Sequence, residues 1–282
     1  MSRCLFCEIS PLTYRISNRK EIILRSLKNL LDNNHYAKEY DLNKLPYIIY
    51  RHHSLIRRKL GNVDLVLQEN KAINLSLSIP KVNGIIIKPQ ETFSFWKLVG
   101  SISKKKGYLD GVNITNNKVE QGTGGGLCQF TNLIHWLILH SSLDIVEHHH
   151  HDNIDLFPDF GRKVPFGCGT SISYNNLDYQ FTNNTDDTFQ LIVYLDEKYL
   201  YGELRCNHLL DYKYHIKEEE AYFYQYEKQW HRHNIIRRII NNKKTSLQIS
   251  NEIMKENNAL VYYDASYIDE KLINIKKTTS IN

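Results

Sequence analysis

The segment that most constrains this 282-residue chain is Gly122-Thr123-Gly124-Gly125-Gly126-Leu127-Cys128-Gln129, a glycine-dense loop that runs straight into an apolar stretch. Glycine is permissive in φ, and with no Cβ it lets another group approach the main chain closely. Ordering three in a row is entropically costly, so a role beyond packing is expected. Behind the loop, Phe130, Leu133, Ile134, Leu137, Ile138 and Leu139 recur at spacings of three and four, the period of a buried helix. Cys128 then falls in the first turn, where unpaired amides carry partial positive charge and favour a thiolate. Downstream, Glu147-His148-His149-His150-His151-Asp152 is a source of imidazole base. Glycine loop, helix-start cysteine and histidine together point to acyl transfer. The competing reading is a small core cysteine ahead of an apolar run.

Composition narrows the class. Hydrophobic content of 41% and charged content of 24% suit a soluble globular protein, in one large domain or two small ones. The net charge of +5 is spread in short clusters such as Arg57-Arg58-Lys59, Lys104-Lys105-Lys106 and Arg237-Arg238. No nucleic-acid motif accompanies them, so they read as solvated surface and no nucleic-acid partner is expected. The cysteines (Cys4, Cys7, Cys128, Cys168, Cys206) are odd in number and irregular in spacing, which fits a reducing compartment rather than a disulfide framework. Cys4-x-x-Cys7 lacks a second pair. The N-terminus shows no secretory h-region and no later run is long enough to span a bilayer, so a cytoplasmic location without an integral membrane segment is expected.

The pattern predicts an α+β fold, with helices mainly in the first half and an antiparallel sheet mainly in the second. Helical periodicity covers about 20–31 and 64–78. Extended segments are expected at 46–50, 82–88, 92–95, 171–174, 179–182, 189–195 and 199–205, with Asn175-Asn176 and Asn183-Asn184 as turns. The organisation expected is an N-terminal helical segment over 1–44, a core domain over 45–210, a charged and aromatic extension over 211–270, and a disordered tail over 271–282.

Several segments read together resemble the VanW family. These are GIIIKPQETFSFWKLVG at 84–100, Lys106-Gly107-Tyr108, GGGLCQ at 124–129, Glu147 to His151, DLFPDFGRKVPFG at 155–167, Asp178 and Phe181-Thr182-Asn183-Asn184. Flanking pieces match too: RHHSLIRRKL at 51–60, Gln68-Glu69-Asn70-Lys71 and YLYGELR at 199–205. The likeness spans about residues 45 to 265. It implies a protein of cell-wall metabolism or glycopeptide resistance, in a family whose anchored members are assigned as cysteine L,D-transpeptidases. It departs from the family at Gln90, where glycine is usual, and at His148, which replaces an arginine ahead of one apparent insertion before Asp155.

On that resemblance, Cys128 is the nucleophile on a peptidoglycan stem peptide or precursor, and a histidine handles the proton. If the cluster is extended, His149 and His151 share a face, and the choice between them stays open. Glu147 would orient the imidazole. Amides of Gly124, Gly125, Gly126 and Gln129 would hold the oxyanion, and Arg162 a substrate carboxylate. The thiol chemistry takes no cofactor and no metal. Phe95, Trp96 and Tyr108 are expected in the core, and Cys168, Trp230, His231 and His233 in structural positions. Two other classes compete: a zinc-dependent hydrolase using Cys128 with His148 to His151, and a non-enzymatic cytoplasmic protein that binds wall precursors in the glycine-lined cleft.

Overall fold

The computed structural model describes residues 6–32, 34–58, 64–115, 118–150 and 153–275. Helix α1 (Pro11–Leu31) starts at a reciprocal cap in which the Thr13 amide donates to Ser10 Oγ and the Ser10 amide donates to Thr13 Oγ1. The periodic stretch at 20–31 is therefore the second half of a longer helix. Helix α2 (Leu65–Ser78) is capped by the Asp64 carboxylate, and the short α3 (Phe95–Val99) by Ser94. Helix α4 (Cys128–Leu139) begins at the cysteine.

Two sheets enclose the core. The larger runs Glu39–Tyr40, Ile85–Ile87, Phe189–Leu195, Tyr199–Cys206, Tyr47–Leu55, and all its pairs are antiparallel. The smaller runs His35–Tyr36, Glu91–Ser94, Gln180–Thr182, Asp144–Glu147. The apolar stripe of α4 lies across the larger sheet, and Phe130, Leu133, Ile134, Leu137 and Ile138 are buried there. Gly202 makes room: a Cβ at that position would stand 3.0 Å from both Leu133 and Leu137. Phe95, Trp96 and Tyr108 are in the core as expected. The FSFW signature is explained by Asp178, which is buried and accepts hydrogen bonds from Ser94 Oγ at 2.6 Å and the Trp96 amide at 3.0 Å.

The α+β class and its distribution along the chain are as the pattern implies. Two local expectations are corrected. Residues 171–174 do not form a strand; Ser173 bridges Leu177 across a turn at Asn175, whose side chain donates to Ser26 Oγ and the Ile22 carbonyl of α1. The segment after Asp211 is a sheet of three long antiparallel strands, Tyr212–Tyr226, Gln229–Asn242 and Gln248–Val261, with Ile154–Asp155 added parallel at one edge. Its charges are satisfied between strands, as in Arg237–Glu219 and Arg238–Glu252, both at 2.7 Å. Residues Glu270–Leu272 form a single helical turn and Ile273 bridges Phe223, while 276–282 lie outside the described residues. Among the described residues no helix is long and apolar enough to cross a membrane.

Candidate active site

The glycine loop follows a hairpin (Asp110–Thr115 paired with Lys118–Thr123) and is clamped by α2. Asn74 donates to the Gly125 and Leu109 carbonyls, each at 3.0 Å, and accepts from the Leu109 amide at 2.8 Å. Gly125 lies against the Gly111 backbone so closely that a Cβ would overlap it. Gly126, at φ +89°, lies against the stem of Lys71, which a Cβ would also overlap. Close backbone approach thus explains the glycines, but the close neighbour is the protein itself. The amides of Gly124, Gly125, Gly126 and Gln129 donate to the carbonyls of Leu109, Gly122, Val112 and Gly126 at 2.9–3.1 Å. They are spent on the fold and do not point at a ligand, so the expected oxyanion hole in the loop is not formed.

Cys128 lies on the wall of a cavity of about 650 Å³, between α2, α4 and the segment 154–170. This volume suits a ligand of a few residues. The Ile172 and Cys128 amides face Sγ and favour the thiolate, yet burial outweighs them and pushes the thiol pKa up. The helix start therefore does not leave a thiolate standing at rest, contrary to the expectation from its position. Asn132, one turn further on the same helix, shares the cavity wall. Its Oδ1 accepts from the Thr170 amide at 2.6 Å and Thr170 Oγ1 at 2.8 Å. An amide donor faces that atom, so it must be oxygen, and the Asn132 NH₂ is turned the other way.

The described histidines divide by alternation, with His149 on one side and His148 and His150 on the other, the side of Gly169. His149 Nε2 meets Glu147 Oε1 at 3.0 Å and does not line the cavity. Glu147 also leaves the site: Arg25 of α1 grips both its oxygens at 2.8 and 2.6 Å, and the Asp178 amide donates to it at 2.9 Å. Burial opposes ionisation of Glu147, but these partners outweigh it and hold the carboxyl at about 2. The pair ties α1 to the smaller sheet. His148 Nε2 lies 2.8 Å from the Gly169 carbonyl, and its ring stacks on His135 at 4.3 Å. His150 lines the cavity; its Nε2 faces Gly169 and its Nδ1 lies 3.3 Å from Lys255 Nζ. His151 lies outside the described residues. His148, His149 and His150 are each engaged elsewhere, and among the described residues no group of three or more His, Cys, Asp or Glu could hold a metal ion.

Arg162 does reach the cavity, but its Nη2 is paired with Asp159 at 2.6 Å. Asp159 is also gripped by Arg232, which itself reaches Asp155 at 3.1 Å. Gln129 braces α4, donating from Nε2 to Ser54 Oγ and the Leu55 carbonyl at 2.9 Å, and its Oε1 is buried without a partner among the described residues. Cys168 lies in a second apolar cluster with Trp136, Leu139 and Ile236, and its thiol is pushed up to about 12 by burial, with Glu218 adding to it. His231 stacks on Tyr224 and His233 packs on Tyr222, as structural positions imply.

Among the cavity residues not singled out by sequence are Arg58, Lys71, His52, Asn132 and Thr170. Arg58 reads as surface charge within Arg57-Arg58-Lys59 yet is partly buried. Lys71 belongs to a flanking Gln68-Glu69-Asn70-Lys71 match and is only 6% exposed. Burial, followed by the charges of Arg58 and Arg57, lowers its pKa to about 7. His52 is pushed down to about 4, mainly by burial, and is neutral at pH 7. The one sequence signal that could have found Asn132 is its helical spacing, four residues after Cys128.

Residues 70–205 match the family model described as VanW like protein. The chain is 36% identical over 169 residues to the vancomycin B-type resistance protein VanW of Enterococcus faecalis (strain ATCC 700802 / V583), an alignment covering 60% of this chain and 61% of that protein. It is 29% identical over 118 residues to YoaR of Bacillus subtilis (strain 168), described as uncharacterized, covering 41% of this chain and 36% of that protein. The chain thus spans 61% and 36% of the lengths of these relatives. No solved structure matches it.

Proposed function

The chain belongs to the VanW family, and on that premise we propose that it is a cysteine-dependent acyl transferase of cell-wall metabolism, with Cys128 as nucleophile and a peptidoglycan stem peptide as acyl donor. The observation that carries this reading is the wall of the cavity. There the first-turn Cys128 is joined by Asn132 on the same helical face and by His150 across Gly169.

The chemistry follows from those placements. Sγ attacks the carbonyl carbon of the donor's third residue; the S–C bond forms and the C–N bond to the terminal residue breaks. The thiol proton ends on the departing amine, relayed by the His150 imidazole. The Asn132 NH₂, held by Thr170, donates to the developing oxyanion in place of the glycine-loop amides; losing such a donor costs about 3 kcal/mol of barrier. An amine of a second peptide, or water, then takes the acyl group and returns a proton to sulfur. Because burial disfavours the resting thiolate, the nucleophile is generated with the substrate in place.

A binding role without chemistry is favoured by two observations: the raised thiol pKa and the closed glycine amides. Incubation with a tetrapeptide stem and mass analysis of Cys128 separates the two, with Cys128→Ala as control. An adduct resolving to a cross-linked dimer supports a transpeptidase, and one released as a shortened peptide supports a carboxypeptidase. Peptide binding with no adduct would remove the enzyme reading and leave the binding protein.

A further inference from the structure

Two cations of the Cys128 cavity are withdrawn from solvent, wholly or in part, and have no carboxylate partner among the described residues. Asp155 is answered by Arg232 and by Tyr263 Oη at 3.0 Å, and Arg162 is answered by Asp159. Lys71 and Arg58 are not. Lys71 Nζ donates to Gln68 Oε1 at 2.7 Å, and the Arg58 backbone amide reaches that same oxygen at 3.3 Å. Among the described residues neither charged group makes a salt bridge or hydrogen bond to a carboxylate. Buried charges are costly unless paired, and two like charges side by side add to the cost. Burial and the nearby Arg162 disfavour the Arg58 charge, with Asp159 a smaller opposing influence, yet a guanidinium does not give up its proton under ordinary conditions. An anion offering two acceptor oxygens would answer both charges.

Position identifies which anion. Gly126 packs on the Lys71 stem and lies two residues before Cys128, so the ammonium is held beside the segment that carries Sγ. In a peptide whose last residue departs, the terminal carboxylate is one residue beyond the carbonyl under attack, and Lys71, Arg58 and Cys128 line the same cavity. The wall also carries the apolar Leu67, Val112 and Ile114, and its other lysines, Lys163 and Lys198, are exposed to solvent where Lys71 is buried.

We infer that Lys71 and Arg58, joined through Gln68, form a subsite for the free C-terminal carboxylate of the acyl-donor peptide, so that the cavity accepts chain ends and discriminates against amidated or internal bonds. The inference rests on reading the cavity as the acyl-donor site, and it replaces Arg162 as the carboxylate-binding residue. Lys71 and Arg58 are positioning residues here, acting on the leaving residue's carboxylate rather than on the reacting bond.

The test compares a tetrapeptide stem ending in a free D-alanine carboxylate with the same peptide as its C-terminal amide. Binding is measured calorimetrically to the full chain carrying Cys128→Ala, which separates affinity from chemistry. The acid is expected to bind at least tenfold more tightly than the amide. Lys71→Met and Arg58→Gln, each added to that background, are expected to bring the acid down to the affinity of the amide while leaving the amide unchanged. Equal affinity of acid and amide in the parent, weak binding of both, or equal weakening of both by the substitutions would overturn the subsite. The acid–amide comparison needs no folded variant at Lys71 or Arg58. The wild-type adduct assay reports separately on the acyl-transfer reading: an acid preference without any adduct keeps the subsite and rejects the chemistry, whereas an adduct formed equally from acid and amide keeps the chemistry and rejects the subsite.

Discussion

Replacing Lys71 with methionine is expected to make the protein more stable at pH 6, although it removes a side chain from the centre of the molecule. Lys71 is 6% exposed, and burial lowers its pKa from 10.5 to about 7. A shift of that size corresponds to about 5 kcal/mol of preference for the neutral form. The unfolded chain keeps the lysine charged up to pH 10.5, so between about pH 7 and 10.5 it binds more protons than the folded one. The stability associated with this group is therefore complete above pH 10.5 and is lost as pH falls through about 7. Methionine has a similar unbranched length and carries no charge, but the hydrogen bond to Gln68 Oε1 disappears with the ammonium. Allowing about 2–3 kcal/mol for that charged bond leaves a net gain of about 2–3 kcal/mol at pH 6. The gain should shrink by about 2–3 kcal/mol on going to pH 9, where folded Lys71 is neutral. Urea unfolding of wild type and Lys71→Met at both pH values measures the two differences. A variant less stable than wild type at pH 6, or a gap independent of pH, would refute the argument that Lys71 is an unpaired buried charge.

Glu147→Gln should destabilise the fold by about 2–4 kcal/mol, because it leaves Arg25 partly buried without its carboxylate. The wild-type contribution is full above pH 4.5 and lost toward pH 2, and acid titration of wild type and variant followed by circular dichroism shows whether that window is theirs. Cys128 should alkylate slowly with iodoacetamide at pH 6 and accelerate through pH 9; a rate plateau below pH 7 would show a thiolate that the burial argument excludes. His150→Ala should suppress formation of a peptide adduct, whereas His149→Ala should affect stability more than adduct yield, which mass spectrometry and thermal melts distinguish. Gly125→Ala should cost several kcal/mol, since its Cβ would overlap the Gly111 backbone, and normal folding of that variant in a thermal melt would disprove the close approach.

The parts of this protein legible in its sequence are those where local pattern and tertiary demand coincide. Helix α4 is readable because its three-and-four spacing is the face that meets the larger sheet, and Phe189–Leu195 because its apolar run is the buried central strand of that sheet. The long sheet after Asp211 is not readable for the opposite reason. Its charged residues find partners only across strands, as Glu219 does with Arg237, and its first hairpin turns on Glu227 and Lys228, both at positive φ, without the Asn-Gly pair that announces such a turn. A run such as Lys217-Glu218-Glu219-Glu220 looks like solvated extension until its neighbours are placed beside it.

The site divides along the same line. Cys128 was visible because a helix start is a local property. The ionisation of its thiol was not, because desolvation is set by everything packed around it, including Ile172 and the segment 154–170. The glycine loop implies a close backbone approach, and one is present, but only the tertiary structure shows that Gly111 and Lys71, rather than a ligand, occupy the space. The histidine run alternates as an extended segment should, yet which face meets the cavity depends on Arg25, more than a hundred residues away in the chain, which draws Glu147 and with it His149 toward α1. That leaves His150 on the side of Gly169. The same long-range logic takes Arg58 from a run of surface charge into the cavity wall beside the buried Lys71, where Gln68 Oε1 accepts from the Lys71 ammonium and from the Arg58 backbone amide. On the proposed reading, the carboxylate of an acyl donor would answer Lys71 and Arg58 while its carbonyl meets the sulfur, and the thiol proton would leave only as the S–C bond forms.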